Sequence, residues 1–244
     1  MKLYINANSY TGKQIQEAEV IRKSLRDLGH VLCSKPEEAE LIVSLGGDGA
    51  LLKAAEIALA EDKPLAGINS GRLGYLCLLQ QKEIGDFDRI LQDSIPSKRA
   101  ILECEVQGSI CYALNDMVIS KPNFGETVDL HLSVGNKSLD FRGDGLIIAT
   151  PTGSTAYNLS AGGPELDYDA NVFAITPICS NGTIRPMVTC DDKEIEVRVN
   201  HGVTHLYADG KRVCETDGLI RVKRSQKTLT LLMSGEQRSG IDHI

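Results

Sequence analysis

The apolar stretch from Leu41 to Leu45 runs directly into "GGDG", Gly46 to Gly49, and then into a helix-like run, Ala50 to Ala60. This junction constrains the fold more than any other part of the chain. A strand without a wet face has to be covered on both sides, which is the situation of a parallel sheet flanked by helices. The neighbouring segments supply the rest of such a sheet. "KLYINA" (2–7) reads as a strand, and 13–29 as an amphipathic helix with Ile15, Ala18, Ile21, Leu25 and Leu28 on one face, stopped by Gly29. "HVLCS" and "AELIVSL" are further strands, "PLAGINS" is a fourth that ends at the glycine-rich turn "SGRLGYL", and "QKEIGDFDRILQD" reads as a helix. Strand and helix alternate to about residue 94, so residues 1–95 are expected to form an α/β domain with an open, mostly parallel sheet.

The texture changes near Ile95-Pro96. "RAILECEVQG" and "SICYALNDMVISK" read as a hairpin of two strands, and short strand runs with Gly-Asn turn chemistry continue almost to the end. Helical periodicity is weak there except at about 156–162. Residues 96–231 are therefore expected to form a β-rich domain, with a tail at about 232–244 that packs back onto the first domain.

Composition narrows the function. Among 244 residues the formal net charge is −7 and no basic block occurs, which argues against nucleic acid or an anionic membrane as partner. Aromatic residues make up 5% and Trp is absent, so a base-stacking platform is not expected. The start is too polar for a signal peptide and no long apolar span follows, so the expected location is cytoplasmic. Seven cysteines, an odd number without CxxC spacing, read as reduced core thiols.

Three stretches carry candidate chemistry. In "GGDG" a strand end, a flexible turn and a helix start bring backbone amides and a positive helix end to one point, which suits phosphate. Gly46, Gly47 and Gly49 allow close backbone approach, and Lys53, one turn on, adds a charge. Asp48 is the oddity, because a carboxylate repels phosphate. It is either a helix cap or a group that acts on a reacting hydroxyl. The second stretch is Phe141 to Pro164, "FRGDGLIIATPTGSTAYNLSAGGP", whose density of hydroxyls and glycines suits a polar ligand with many acceptors. The third is Asn115-Asp116, a polar pair inside an apolar strand, which needs partners if buried and reads otherwise as a turn. Tyr75 faces either the ligand or the core. His201 and His205 are four apart but lie in strand and turn sequence, so no metal-ligating residues are expected.

In order along the chain, "GGDG", "GINSGRLGYL", the "ND" pair and "DGLIIATPTGSTAYNLSAGGP" resemble the NAD kinases, over residues 41 to about 188. "GGDG" alone is shared with diacylglycerol and sphingosine kinases and phosphofructokinases; the "TPTGSTAY" segment is far more specific. The resemblance implies an NAD kinase-like two-domain fold and an ATP-dependent transfer of phosphate to the 2′-hydroxyl of the adenosine ribose of NAD, giving NADP. It implies that Asp48 is the general base, in a loop with Gly46, Gly47 and Gly49. It implies that Asn115 and Asp116 hold the adenosine part of NAD, and that Thr155, Ala156, Tyr157 and Ser160 line its pocket. By the same resemblance Arg142, Asp144 and Lys211 are binding positions, and Asn69 and Tyr75, near the end of the fourth strand, are further candidate contacts. Mg²⁺ is the divalent cation expected with ATP. NAD and ATP are the expected partners, polyphosphate stays open as a second donor, and a homodimer or homotetramer is expected, with sites partly completed by a neighbouring subunit. The chain departs from the family in having Asn-Asp for Asn-Glu, Ala50 for a threonine, and "CSNGTIRP" for a "PHTL"-like stretch. A "GGDG" lipid kinase and a non-catalytic dinucleotide-binding module are the competing readings.

Overall fold

The computed structural model describes residues 1–6, 13–70, 75–182 and 184–235. The last residue of "KLYINA", most of the turn "SGRLGYL", Thr183 of "CSNGTIRP" and the tail beyond Gly235 lie outside the described residues, and with that tail most of the segment expected to pack back. Two compact units are formed. One is Met1–Arg99 with the chain from Thr228 onward; the other is Ala100–Lys227.

The first unit contains β1 (Lys2–Asn6), α1 (Lys13–Asp27), β2 (Val31–Leu32), β3 (Leu41–Leu45), α2 (Asp48–Ala60), β4 (Leu65–Asn69), β5 (Leu79–Gln80) and α3 (Phe87–Gln92). Its strands are parallel, in the order β2-β1-β3-β4, with β5 beside β4. The order reverses between β1 and β3, and "GGDG" leaves β3 at that switch point, where open α/β sheets bind ligands. One sheet face packs Leu3, Ile5, Leu41, Val43, Leu45, Ala66 and Ile68 against Ala18, Ile21 and Leu25 of α1 and Phe87 of α3. On the other face Gly67 lets α2 lie close, since a Cβ there would stand 2.8 Å from Leu51 Cδ1.

Two details differ from the sequence reading. Ile15 and Leu28 are exposed. Ile15 sits in the first turn of α1 and Leu28 beyond its last, so only the middle of the apolar stripe meets the sheet. Gly29, at φ +89°, forms a left-handed cap in which the His30 amide bonds to Leu25 O and the Gly29 amide to Arg26 O. The segment expected to be one helix from Gln81 begins as a 3-10 turn, Gln81–Asp86, and becomes α-helical only at Phe87. Gly85, a poor helix former, sits at that change.

The second unit is built of β6 (Ile95–Val106, entering from the first unit), β7 (Ser109–Ala113), β8 (Asp116–Ser120), β9 (Val128–Val134), β10 (Lys137–Gly143), β11 (Gly145–Ala149), α4 (Tyr157–Ser160), β12 (Val172–Ile178), β13 (Met187–Cys190), β14 (Ile195–His201), β15 (Thr204–Ala208), β16 (Lys211–Thr216) and the start of β17 (Leu219–Met233). Its strands pair antiparallel in the orders β10-β9-β14-β17 and β13-β12-β11-β8-β15-β16. The β6–β7 hairpin closes through Gln107-Gly108, both at positive φ, the two-residue turn that matches strand twist. β17 ends in the first unit, where Leu231 pairs in parallel with Leu65 of β4.

"SICYALNDMVISK" is two strands, not one. β7 pairs with β6, whereas β8 pairs with β11 and β15. The break falls at Leu114-Asn115 because the amides there bond to a carboxylate and not to a ladder, as described below. All seven cysteines are free, but only Cys77 and Cys104 are buried. Cys179 and Cys190 are exposed, against the expectation of core thiols. Cys179 lies just past β12, and Cys190 is the last residue of β13, the terminal strand of its sheet.

Candidate active site

The first unit supplies a turn with a held carboxylate. Gly47, not Asp48, occupies the N-cap of α2, and no side chain caps the helix. The Asp48 carboxylate instead accepts from the amides of Tyr75 and Leu76, each at 3.3 Å. These are long bonds, so the group is aimed but not consumed. Gly46 sits at φ +129°, a conformation that favours glycine, and its amide is spent on Ile68 O at 2.9 Å. The amides of Gly47 and Gly49 take no partner among the described residues, and they stand at the positive end of α2. Of the three glycines, two therefore keep a donor. Cys77, which no sequence reading singled out, packs its thiol 3.5 Å from Gly46 O; burial, with Asp48 close by, pushes that thiol up to about 12. Asn69 is buried at the end of β4, while Lys53 and Tyr75 are exposed.

The second unit supplies a polar cluster around Asn115. Asp209 is its organiser, and sequence reasoning missed it. Its carboxylate accepts from the amides of Leu114 (2.8 Å), Asn115 (2.7 Å) and Asp116 (3.2 Å). The only sequence signal was the Asp-Gly of "YADGK", which reads as a hairpin turn and nothing more; Asp209 and Gly210 are indeed both at positive φ. The "TPTGSTAY" segment locks onto the same backbone. Thr150 donates its hydroxyl to Leu114 O at 2.6 Å and its amide to Asn115 O at 2.9 Å. Asn158, also missed, is buried and donates to Ser154 O and Pro164 O while accepting from the Thr176 hydroxyl.

The Asn115 side chain is buried, and its Oδ1 has no hydrogen-bond partner. An orphaned buried amide oxygen is costly unless something fills the site. Asp116 is 5% exposed and lies near Asp209. Burial first, and the like charge of Asp209 second, push its carboxyl up to about 7. In the unfolded chain the group titrates near 3.8. Between those values the unfolded chain has already lost the proton that the folded chain still holds, so stability falls as pH rises across this window and levels off above it. Asp116→Asn is expected to remove that slope. It should gain nothing at about pH 4 and roughly 4 kcal/mol at most above neutrality, read from urea unfolding at a series of pH values. An unchanged slope would contradict the assignment.

Gly153 lies directly on Asn115. A Cβ there would come within 2.1 Å of Asn115 O and 2.6 Å of its Cα, backbone atoms that cannot swing away. Gly153→Ala should therefore cost about 1–3 kcal/mol and weaken nucleotide binding. Gly85→Ala, where an added Cβ meets nothing within 4 Å, is the control. Equal urea midpoints for the two variants would show that the contact is not tight.

The structure thus gathers Asn115, Asp116, Thr155, Ala156, Tyr157 and Ser160 in one unit, with Lys211 two residues past Asp209, and Asp48, Gly47, Gly49, Asn69 and Tyr75 in the other. It does not bring Arg142 and Asp144 to the Asn115 cluster. Asp116 pairs with Ala149, whereas Asp144 adjoins Gly145 at the far end of β11, about 13 Å along the strand. There Asp144 meets Lys121 Nζ at 2.8 Å, and Arg142 holds Asp129 through two bonds of 2.7 Å.

This arrangement can be set beside known proteins. The family model described as the ATP-NAD kinase N-terminal domain matches residues 3–95, and that of the ATP-NAD kinase C-terminal domain matches residues 114–234. The chain belongs to the ATP-NAD kinase family. An NAD kinase of Chloroherpeton thalassium is 40% identical over 222 residues, covering 83% of this chain and 75% of that protein. The crystal structure of an NAD kinase from Archaeoglobus fulgidus in complex with ATP is 25% identical with a TM-score of 0.82, over 99% of this chain and 97% of the other. Yeast NADH kinase complexed with NADH shares the fold, at a TM-score of 0.85 and 23% identity, over 100% of this chain and 88% of that one. The α/β and β-rich units are those of this family, and the chain is a phosphotransferase that phosphorylates NAD.

Proposed function

We propose that the chain transfers the γ-phosphoryl group of ATP to the 2′-hydroxyl of the adenosine ribose of NAD, and that Asp48 receives the proton of that hydroxyl. The observation that carries this reading is the Asp48 carboxylate, which opens α2 without capping it and is held only by two long bonds from Tyr75 and Leu76. A mere cap would bond its own helix, and a mere binder of phosphate gains nothing from a carboxylate there. The Gly47 and Gly49 amides are suited to cradle phosphoryl oxygens. In phosphoryl transfer the protein mainly positions groups and offsets charge.

On the acceptor side, Asn115 Oδ1 lacks a partner that the adenosine of NAD would supply. Asp116, titrating about neutrality, can accept from a ribose hydroxyl when charged and donate when neutral. Thr155, Ala156, Tyr157 and Ser160 are partly or fully exposed beside it and line the pocket in this reading, with Lys211 at its edge.

Among the described residues no group of three or more His, Cys, Asp and Glu could hold a metal. A single carboxylate at a phosphate site fits a Mg²⁺ ion that arrives on the triphosphate and keeps most of its waters. Such an ion would offset the repulsion between Asp48 and the donor. The reading keeps a homo-oligomer, in which Arg142 of β10 and Asp144 before β11 serve a neighbouring subunit's site. No described helix is long and apolar enough to cross a membrane, and the reading places the enzyme in the cytoplasm with NAD and ATP as its partners.

The test is incubation with NAD, ATP and Mg²⁺, with NMR of the product to locate the new phosphate. NADP phosphorylated at the 2′ position is expected, and polyphosphate in place of ATP tests donor breadth. Phosphate on another hydroxyl, or ATP turnover without NADP, would sink the proposal.

A further inference from the structure

The β6–β7 hairpin sets two cysteines face to face, away from the groups assigned to nucleotides. Cys104 and Cys111 are direct cross-strand partners, and their thiols are joined by a hydrogen bond. Cys104 is fully buried and Cys111 only partly. Cys214 of β16 lies near enough to act electrostatically on Cys104 and to feel Cys111. All three are free thiols.

Directly opposed residues of an antiparallel pair have Cα atoms about 4.5–5.5 Å apart, inside the span of a disulfide. The tight turn at Gln107-Gly108 fixes this register. Cross-strand Cβ atoms are about 4.5–5.5 Å apart and a disulfide needs about 3.5–4.5 Å, so the bridge needs rotation of two side chains and a small approach of the two strands. The two sulfurs are also unequal. The hydrogen bond from Cys104 holds the Cys111 thiol below its usual range, while the same bond and burial push Cys104 well above. Oxidants attack the thiolate, and an accessible thiolate beside a resolving thiol is the arrangement of an oxidisable pair.

We propose that Cys104 and Cys111 are a redox-modification site, at which hydrogen peroxide oxidises Cys111 and Cys104 then closes an intrachain disulfide. The Cys111 thiolate takes one peroxide oxygen and becomes a sulfenic acid, releasing hydroxide that leaves as water with the proton Cys111 had lost. The Cys104 sulfur displaces the sulfenic hydroxyl, which departs as a second water with the Cys104 proton. Two thiols give up two electrons and one peroxide is reduced to two waters. The bridge would lie on the strand that ends at Ala113, directly before the Leu114 and Asn115 amides that Asp209 holds.

Reduced protein is treated with hydrogen peroxide, the remaining thiols are alkylated under denaturing conditions, and the digest is mapped by mass spectrometry. The expected result is a peptide pair joined through Cys104 and Cys111, loss of both of those thiols from the alkylated set, and reversal by dithiothreitol. The exposed Cys179 and Cys190 report that oxidant reached the protein. Cys111→Ser should abolish the joined species, and Cys214→Ser should preserve it. Oxidation of Cys179 and Cys190 with Cys104 and Cys111 both still alkylatable overturns the proposal, as does a bridge to Cys214. The wild-type map decides alone if Cys111→Ser does not fold, and it is independent of the roles assigned in phosphoryl transfer.

Discussion

Asp48→Asn is expected to lower kcat by about 10²–10⁴-fold, the range for losing a general base, while NAD binds within a few-fold of wild type. The amide fills the same space and its single oxygen can still accept from one of the Tyr75 and Leu76 amides; both bonds are long in the wild type, so the turn should survive the loss of one. What it cannot do is take a proton. A loss confined to kcat identifies an interaction made in the transition state, whereas a rise in KM alone identifies ground-state binding. Steady-state kinetics with NAD and ATP varied in turn make the distinction. Normal kcat in this variant would leave Asp48 as a structural fixture of the α2 entrance.

Asp209→Ala should act through structure. Three amides lose one carboxylate, and a buried donor left without an acceptor costs about 1–3 kcal/mol. Part of that loss is returned, because Asp116 is relieved of a like charge. A net loss of about 2–4 kcal/mol is expected, with KM for NAD raised and KM for ATP little changed. The neighbouring carboxyl supplies a second readout: without Asp209, the pH window over which stability falls should narrow from its upper end. A variant as stable as wild type, with an unaltered window, would mean that Leu114 to Asp116 are held by the strands alone.

Local signals made much of the fold legible. The largely apolar Leu41–Leu45 and Leu65–Asn69 announced parallel strands of an open sheet, and the Gly29 stop is the cap observed. Family motifs pointed to "GGDG" and "TPTGSTAY", which the fold turns into a held carboxylate and a segment bonded to the Leu114 and Asn115 backbone. The sequence did not disclose who holds whom. Asp209 lies 93 residues beyond Asp116, and its partners are backbone amides, which leave no mark on residue type. Asn158 was hidden for the opposite reason: its amide serves the interior of its own turn and contributes nothing to periodicity. The strand reading of 109–121 failed because apolar residues resume directly after the Asn115-Asp116 pair even though the hydrogen bonding does not run through it.

The course of β17 has a consequence for synthesis on the ribosome. β4 is made before the second unit, yet the strand that pairs with it at Leu65 includes Leu231 and is completed only after that unit. Until then that part of β4 presents unpaired amides and carbonyls, the kind of edge that recruits other chains. A nascent chain or a fragment ending near Arg99 would carry every helix of the first unit and still lack its closing strand. Vectorial folding of this enzyme is therefore expected to leave the first unit incomplete until the second unit has been made, and fragments without β17 are expected to aggregate even though their own core residues are all present.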